Sequence, residues 1–347
     1  MIISVSSAPS VLRIEVGNIS KEYMEETNQT RTELTAFAEK IQLLREQIAQ
    51  VIVGQEQAVD LVLTAIIADG HVLIEGVPGV AKTLLARLVS RLIDTRFSRI
   101  QFTPDLMPSD VLGTTVFNMK TQTFDFHPGP VFSDIVLVDE INRAPAKTQA
   151  ALFEVMEERQ VTIDGETRRM GDVYTVIATQ NPVEQEGTYK LPEAQTDRFL
   201  MKITMGYPSE EEEVQILERH LQNRTFTRLE EVVPVITHDE LLALRRRLSD
   251  VFVEPSLMKY IVGIVQQSRR SKAIFLGASP RASVAMLNAS RAYALLQGRD
   301  FVTPDDIQQV TPPILQHRLI LTAEAEMEGH TPLKVARRLI EKVEVPK

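Results

Sequence analysis

The sequence predicts an α/β fold built on a parallel sheet, followed by a second domain made only of helices. Three observations point there. An apolar run from His71 to Glu75 passes through a Gly/Pro turn into a helix that starts near Lys82. A second run, Asp134 to Glu140 (DIVLVDE), is apolar on both faces, as a central parallel strand must be. Beyond Gly206-Tyr207-Pro208 no stretch of any length alternates as a strand does, and helical spacing takes over.

The first run leads into a phosphate-binding pattern, G-x-x-x-x-G-K-[ST]. Gly76, Val77, Pro78, Gly79, Val80, Ala81, Lys82 and Thr83 fill its eight positions, with Ala81 in place of the second glycine. Gly76 and Gly79 let the backbone turn without a Cβ in the way. Successive backbone N–H groups and the helix N-terminus then converge on anionic oxygens. Lys82 adds a point charge for β- and γ-phosphates, and the Thr83 hydroxyl can ligate Mg²⁺. Ala81 falls where the helix begins, so its φ is expected to be negative and its methyl tolerated. A glycine-rich turn before an ordinary helix is the bland alternative.

Bulk properties exclude other classes. With 347 residues, 44% hydrophobic and 24% charged, the chain can build one large or two medium cores. It has no cysteine, so disulfides and thiolate metal sites are excluded. Its six histidines are scattered, which leaves no helical ligand pair for a metal held by side chains alone. A net charge of −9 counts against nonspecific nucleic-acid binding, which depends on neutralising phosphates. No apolar run reaches the roughly 18 residues that suggest a membrane span. The first basic residue is Arg13, a poor start for a signal peptide, so a cytoplasmic location is expected.

In chain order, residues 1–30 are weakly patterned and are expected to form a tail. Residues 31–206 form the α/β domain and 207–347 the helical one. Leu34, Phe37, Ala38, Ile41, Leu44 and Ile48 predict an amphipathic helix over 31–50, and another follows over 57–68. The VIVG turn between them, with Val53 and Gly54, is either a packing turn or an apolar slot for a purine. Ser98 to Phe102 is the second strand. A hairpin insert near 114–129 interrupts the strand–helix alternation, either as a contact-bearing insertion or as a plain edge hairpin. The third strand ends in Asp139 and Glu140. Beside a phosphate loop, one acid can hold the Mg²⁺ shell and the other can orient or deprotonate water. A helix over 147–159 leads to a second insert near 160–172, with an Asp164-Gly165 hairpin turn. The fourth strand, Tyr174 to Thr179, ends in Gln180-Asn181, whose amides can reach a γ-phosphate or the attacking water. A loop and short helix over 187–195 precede Thr196-Asp197-Arg198-Phe199 and a fifth strand, 200–205. Helices are then expected near 209–222, 238–249, 255–268, 280–297, 304–317 and 332–343, with a capping box from Ser209 to Glu212. The basic clusters 245–247 and 269–272 are expected to be solvated helix faces.

The stretches GVPGVAKT, IQFTPDLMPSDVLGT, FHPGPVF, DIVLVDEINRAPAKTQAALFEVMEERQVTIDGET, ATQNPVEQEGTYKLPEAQTDRFL and GASPRA together resemble the MoxR-type AAA+ ATPases, of the clade with an insert in the second helix. They cover roughly residues 45–300. Alanine at the second loop glycine is itself a feature of that family. The resemblance implies a five-stranded parallel sheet of order 5-1-4-3-2 and a helical lid, with ATP between the two and Mg²⁺ beside it. It implies that the phosphate loop with Leu84, and the slot at Val53 and Gly54, contact nucleotide. Thr83 and Asp139 would hold the metal, Glu140 would be the catalytic acid and Asn181 the first sensor. Arg198 matches the arginine finger that reaches a neighbour's nucleotide, and Arg281, in SPR, the second sensor on the lid. For Arg198 the alternative is a surface salt bridge, and for Arg281 a cap contact at a helix N-terminus. The implied assembly is a homo-oligomer, a hexameric ring, acting as a chaperone on client proteins through a partner with a von Willebrand factor A domain. A nucleotide-gated scaffold and a nucleic-acid motor are the competing classes. The two hairpins are the candidate client contacts.

Overall fold

The structure, a computed structural model, describes residues 35–182, 189, 191–221 and 232–346. The expected tail over 1–30, the first residues of the first helix and most of the loop after Asn181 lie outside the described residues.

Helix α1 spans residues 35–51 and buries Ile41, Leu44 and Ile48, one face at three-and-four spacing. Helix α2 (Glu56–Ile67) follows, and its last turn closes with the Gly70 amide donating to the Ala65 carbonyl at 2.8 Å. The α/β part then runs β1 (Val72–Gly76), α3 (Lys82–Leu92), β2 (Phe97–Gln101) and a short α4 (Pro108–Leu112). A hairpin of β3 (Gly113–Asn118) and β4 (Thr123–Pro128) comes next, then β5 (Ile135–Asp139) and α5 (Ala146–Glu158). A second hairpin, β6 (Gln160–Ile163) and β7 (Glu166–Arg169), precedes β8 (Thr175–Gln180), α6 (Glu193–Thr196) and β9 (Met201–Met205).

Five of these strands form one sheet in the order β2-β5-β8-β1-β9, every pair parallel. Counted by appearance, that is the expected 5-1-4-3-2. Both inserts are separate two-stranded hairpins, as expected. Alternation sends β1 to two cores. Val72 and Ile74 join the core shared with α2, α3 and the C-terminal helices, while Leu73 joins Val136, Val138, Phe153 and Phe199 on the other face. Because the strands are parallel, Gly76, Asp139 and Gln180 end at one edge, where ligands of open parallel sheets bind.

The C-terminal part contains α7 (Glu210–Leu221), α8 (His238–Arg247), α9 (Pro255–Arg270), β10 (Ile274–Leu276), α10 (Pro280–Leu296), α11 (Pro304–Leu315), β11 (Ile320–Leu321), α12 (Ala323–Met327) and α13 (Pro332–Glu341). The capping box at Ser209 is formed, with the Glu212 amide donating to Ser209 Oγ at 3.3 Å and the Ser209 amide to Glu212 Oε2 at 2.7 Å. One expectation fails: this part is not purely helical. β10 and β11 pair antiparallel. At three and two residues they are too short to show alternation, and their pairing is a tertiary contact, with β10 also packed against α9.

Candidate nucleotide site

Gly76 ends β1 against the neighbouring strand, and a Cβ there would stand 2.7 Å from the Met205 carbonyl oxygen. Gly79 turns at φ +88° in open space. Ala81 corrects the expected negative φ, since it adopts φ +61°, ψ +22°. The chain must reverse from the loop into α3 within this one residue. Only then does its carbonyl accept the first helical bond, from the Leu85 amide at 2.9 Å. The αL conformation that glycine takes freely is imposed here on alanine.

Lys82 folds its ammonium back over the loop, donating to the Gly76 carbonyl and to the Val77 carbonyl at 3.0 Å. Thr83, one residue on, points its hydroxyl at Asp139, 3.2 and 3.3 Å from the two carboxylate oxygens. Asp139 is buried at the end of the interior strand β5 and also accepts from Thr179 Oγ1 at 3.0 Å and Arg99 Nε at 2.7 Å. Glu140 leaves the strand in the left-handed region, at φ +57°, with its amide donating to Thr179 Oγ1 at 3.1 Å. Its carboxylate meets Gln101 Nε2 and Arg143 Nε, both at 2.9 Å.

Lys82, Thr83, Arg99, Gln101, Asp139, Glu140 and Thr179 line one cavity of about 530 Å³, together with Pro78, Gly79, Val80, Ala81, Leu84, Arg87, Gln180 and Asn181. That size lies within the roughly 300–1,000 Å³ of small-molecule sites. Thr83 and Asp139 suit Mg²⁺, which takes one or two protein ligands and completes its shell with water and phosphate oxygens. No cluster of three His, Cys, Asp or Glu that could hold a metal unaided occurs among the described residues.

Outside the phosphate loop, four expected site residues lie elsewhere. Gly54, at φ +72°, lines a neighbouring cleft with Thr204, Gln316 and Arg337, and Val53 lines neither. Arg198 donates to the Phe153 carbonyl and pairs with Glu157 Oε2 at 2.9 Å. Arg281, at the N-terminus of α10, stands 3.7 Å from Glu157 Oε1 and 3.9 Å from Asp197 Oδ2. The two arginines therefore share one carboxylate. Among the described residues no lid residue lines the phosphate cavity, whereas the cleft at Gly54 is lined from the helical part by Gln316 and Arg337.

Arg99, Gln101, Thr179 and Arg143 escaped the sequence reading. Thr179 had a signal, because it sits two residues before Asn181. Arg99 and Gln101 share one face of β2, but only the register, which sets Gln101 beside Asp139, brings them to the acids.

A phosphate loop beside an acid-tipped strand, on a parallel sheet followed by a helical region, is the arrangement of a phosphate-loop nucleotide-binding protein. The family model described as "ATPase family associated with various cellular activities (AAA)" matches residues 71–201, and that of the AAA lid domain matches 266–341. The chain is 44% identical over 309 residues to chaperone MoxR1 of Mycobacterium tuberculosis, covering 86% of this chain and 81% of that protein. It is 49% identical over 301 residues to the uncharacterized protein YeaC of Bacillus subtilis (87% and 93% covered). To protein MoxR of Methylorubrum extorquens it is 32% identical over 315 residues (85% and 91%). A solved structure from Cytophaga hutchinsonii, described as a candidate ATPase, matches with a TM-score of 0.84 at 40% identity, over 93% of this chain and 99% of that one. The chain belongs to the MoxR family of AAA+ ATPases.

Proposed function

We propose that this chain hydrolyses ATP at a site shared between neighbouring copies of a hexameric ring, and that the cycle drives chaperone-like remodelling of a client protein. A partner bearing a von Willebrand factor A domain is the proposed route to the client. One observation carries the reading. Lys82, Thr83, Asp139, Glu140 and Asn181 line a single cavity, while Arg198 and Arg281 stand together around Glu157, away from it. A pair of cations set apart from its own phosphate site is suited to serving another copy's site.

In this reading the loop amides and Lys82 take the β- and γ-phosphates, the lysine exchanging carbonyl partners for phosphate oxygens. Mg²⁺, when bound by Thr83 and Asp139, supplies positive charge to the phosphate oxygens. Glu140 accepts a proton from the attacking water, and the Asn181 amide orients that water. Arg198 of the adjoining copy meets the charge that develops on the transferred phosphoryl group, a role worth about 10³–10⁵ in rate. Arg281 enters the same neighbouring site from the lid, so lid position and hydrolysis are linked across the seam. Val53 and Gly54 remain the proposed wall for the purine.

Mixing separates a shared site from an internal one. Lys82→Ala cannot hold ATP and Arg198→Ala cannot serve a neighbour, so each alone is expected to be inactive. In mixed oligomers an intact Lys82 site faces an intact Arg198, and hydrolysis is expected to return. If native mass spectrometry shows mixed oligomers and activity stays absent at every ratio, the shared site is wrong.

A further inference from the structure

The side chain of Asp139 is 7% exposed, so its charge must be met inside the protein. Two threonine hydroxyls supply neutral donors, at 3.0 Å from Thr179 and 3.2 Å from Thr83. Its charged partner is Arg99, whose Nε donates to Oδ2 at 2.7 Å. That arginine is half exposed, lines the phosphate cavity and lies at the open face of β2. Its side chain can therefore swing toward solvent without opening a hole in the core. A dication on Asp139 would lie within a few ångströms of the guanidinium and be repelled by it. Metal and Arg99 are thus competing partners for one carboxylate.

Arg99 has a second contact. Its Nη2 donates to Gln101 Oε1 at 3.1 Å, which fixes the amide so that Nε2 faces Glu140, donating to its carboxylate at 2.9 Å. One guanidinium therefore touches the metal-facing acid directly and the water-facing acid through a single amide.

We propose that Arg99 is the resident counterion of Asp139, that the metal–triphosphate must displace it, and that its displacement releases the Gln101 amide from its present orientation. This rests on the reading that Asp139 meets the metal. Arg99 is then a positioning residue that sets how much Mg²⁺ is needed to load nucleotide.

Binding of ATP is measured by calorimetry across a Mg²⁺ titration starting in EDTA, with no turnover readout. In the wild type, tightening by Mg²⁺ is expected to depend on Asp139 and to vanish in Asp139→Asn. In Arg99→Gln the Mg²⁺ concentration giving half of the tightening is expected to fall about tenfold, within the usual range for coupled sites. Arg99→Lys, which keeps the charge, is expected to lie near the wild type. Thermal unfolding without nucleotide checks the pairing independently: Arg99→Gln lowers the midpoint, and adding Asp139→Asn restores it. An unchanged Mg²⁺ midpoint in folded Arg99→Gln, with Asp139 still required, overturns the proposal and leaves the metal assignment standing. Mg²⁺ dependence that survives Asp139→Asn overturns the metal assignment itself.

Discussion

Ala81 holds a conformation, φ +61°, in which the Cβ of an L-residue crowds the following carbonyl at a cost of about 1–2 kcal/mol. Replacing it with glycine removes that crowding but adds about 0.4–1 kcal/mol of unfolded-chain entropy. The first effect is the larger, so Ala81→Gly is expected to stabilise the protein by about 0.5–1 kcal/mol in urea unfolding without nucleotide. Ala81→Val is expected to destabilise it, because a β-branched residue fits αL worse still. A loss of stability in Ala81→Gly would mean that the methyl earns its place through packing. At this scale, the legible part of the site was what lies within one local motif. Lys82 and Thr83 follow from the loop, Asp139 and Glu140 from the end of an apolar strand, and Asn181 from the next. The backbone sign at Ala81 was not legible, because a helix start read from sequence does not say how the chain enters it. Arg99 and Gln101 were hidden because their role depends on which strand lies next to which, and at what register.

Among the elements, helix α8 shows how far a local reading of charge can mislead. The run 245–247 was expected to be a solvated helix face. Arg245 is instead 9% exposed and reaches the end of α2, giving the Ile66 carbonyl two hydrogen bonds, at 3.0 and 2.8 Å, and pairing with Asp69 at 2.6 Å. The last carbonyls of a helix have no partner within it, and a cation at that end also suits the helix dipole. Arg159 reaches the same Asp69 at 3.2 Å, so α8, α2 and the end of α5 meet at one carboxylate. Arg245→Ala removes the two side-chain donors of the Ile66 carbonyl and is expected to cost about 1–3 kcal/mol. Arg246→Ala, on an exposed residue of the same run, is expected to stay within about 0.5 kcal/mol. Equal costs at the two positions would show that α8 is not anchored by Arg245. The strands, by contrast, were largely legible, since β1, β5 and β8 are buried almost throughout and helices separate the runs, which constrains a parallel sheet strongly. The order of those strands came from the family pattern, because spacing alone does not choose between topologies. The β3–β4 hairpin also matched its expectation, and it leaves Phe117, Met119 and Phe124 exposed, which suits the client contact proposed for it.

At the scale of the whole molecule, the fold buries titratable groups that have no part in the proposed chemistry, and these set its acid stability. His71 opens the central strand region, with Nδ1 accepting from the Val176 amide at 3.0 Å and Nε2 facing the Met156 carbonyl at 3.1 Å. That pattern requires the neutral ring protonated at Nε2. Burial, and then the charge of Arg159, push its pKa down to about 3. His317, buried beside Arg318 and against the Phe199 carbonyl, is held well below its ordinary range, chiefly by burial. Above about pH 6.5 these rings are neutral whether the chain is folded or not, and their contribution is fully present. Below it the unfolded chain takes up protons that the folded chain refuses, so stability falls as pH drops from about 6.5 toward 3. Asp134 adds a later loss. Burial works against its charge, but hydrogen bonds and charge from Arg96 outweigh that and hold it below the usual carboxylate value. Urea unfolding measured between pH 7 and 4 is therefore expected to show a steady loss of stability. His71→Asn keeps an acceptor for the Val176 amide but cannot titrate, so it starts less stable at pH 7. Its slope is expected to be shallower by about one proton, roughly 1.4 kcal/mol per pH unit. If the two slopes are equal, His71 takes up its proton as readily in the folded protein as in the unfolded chain, and acid sensitivity must be sought at the carboxylates.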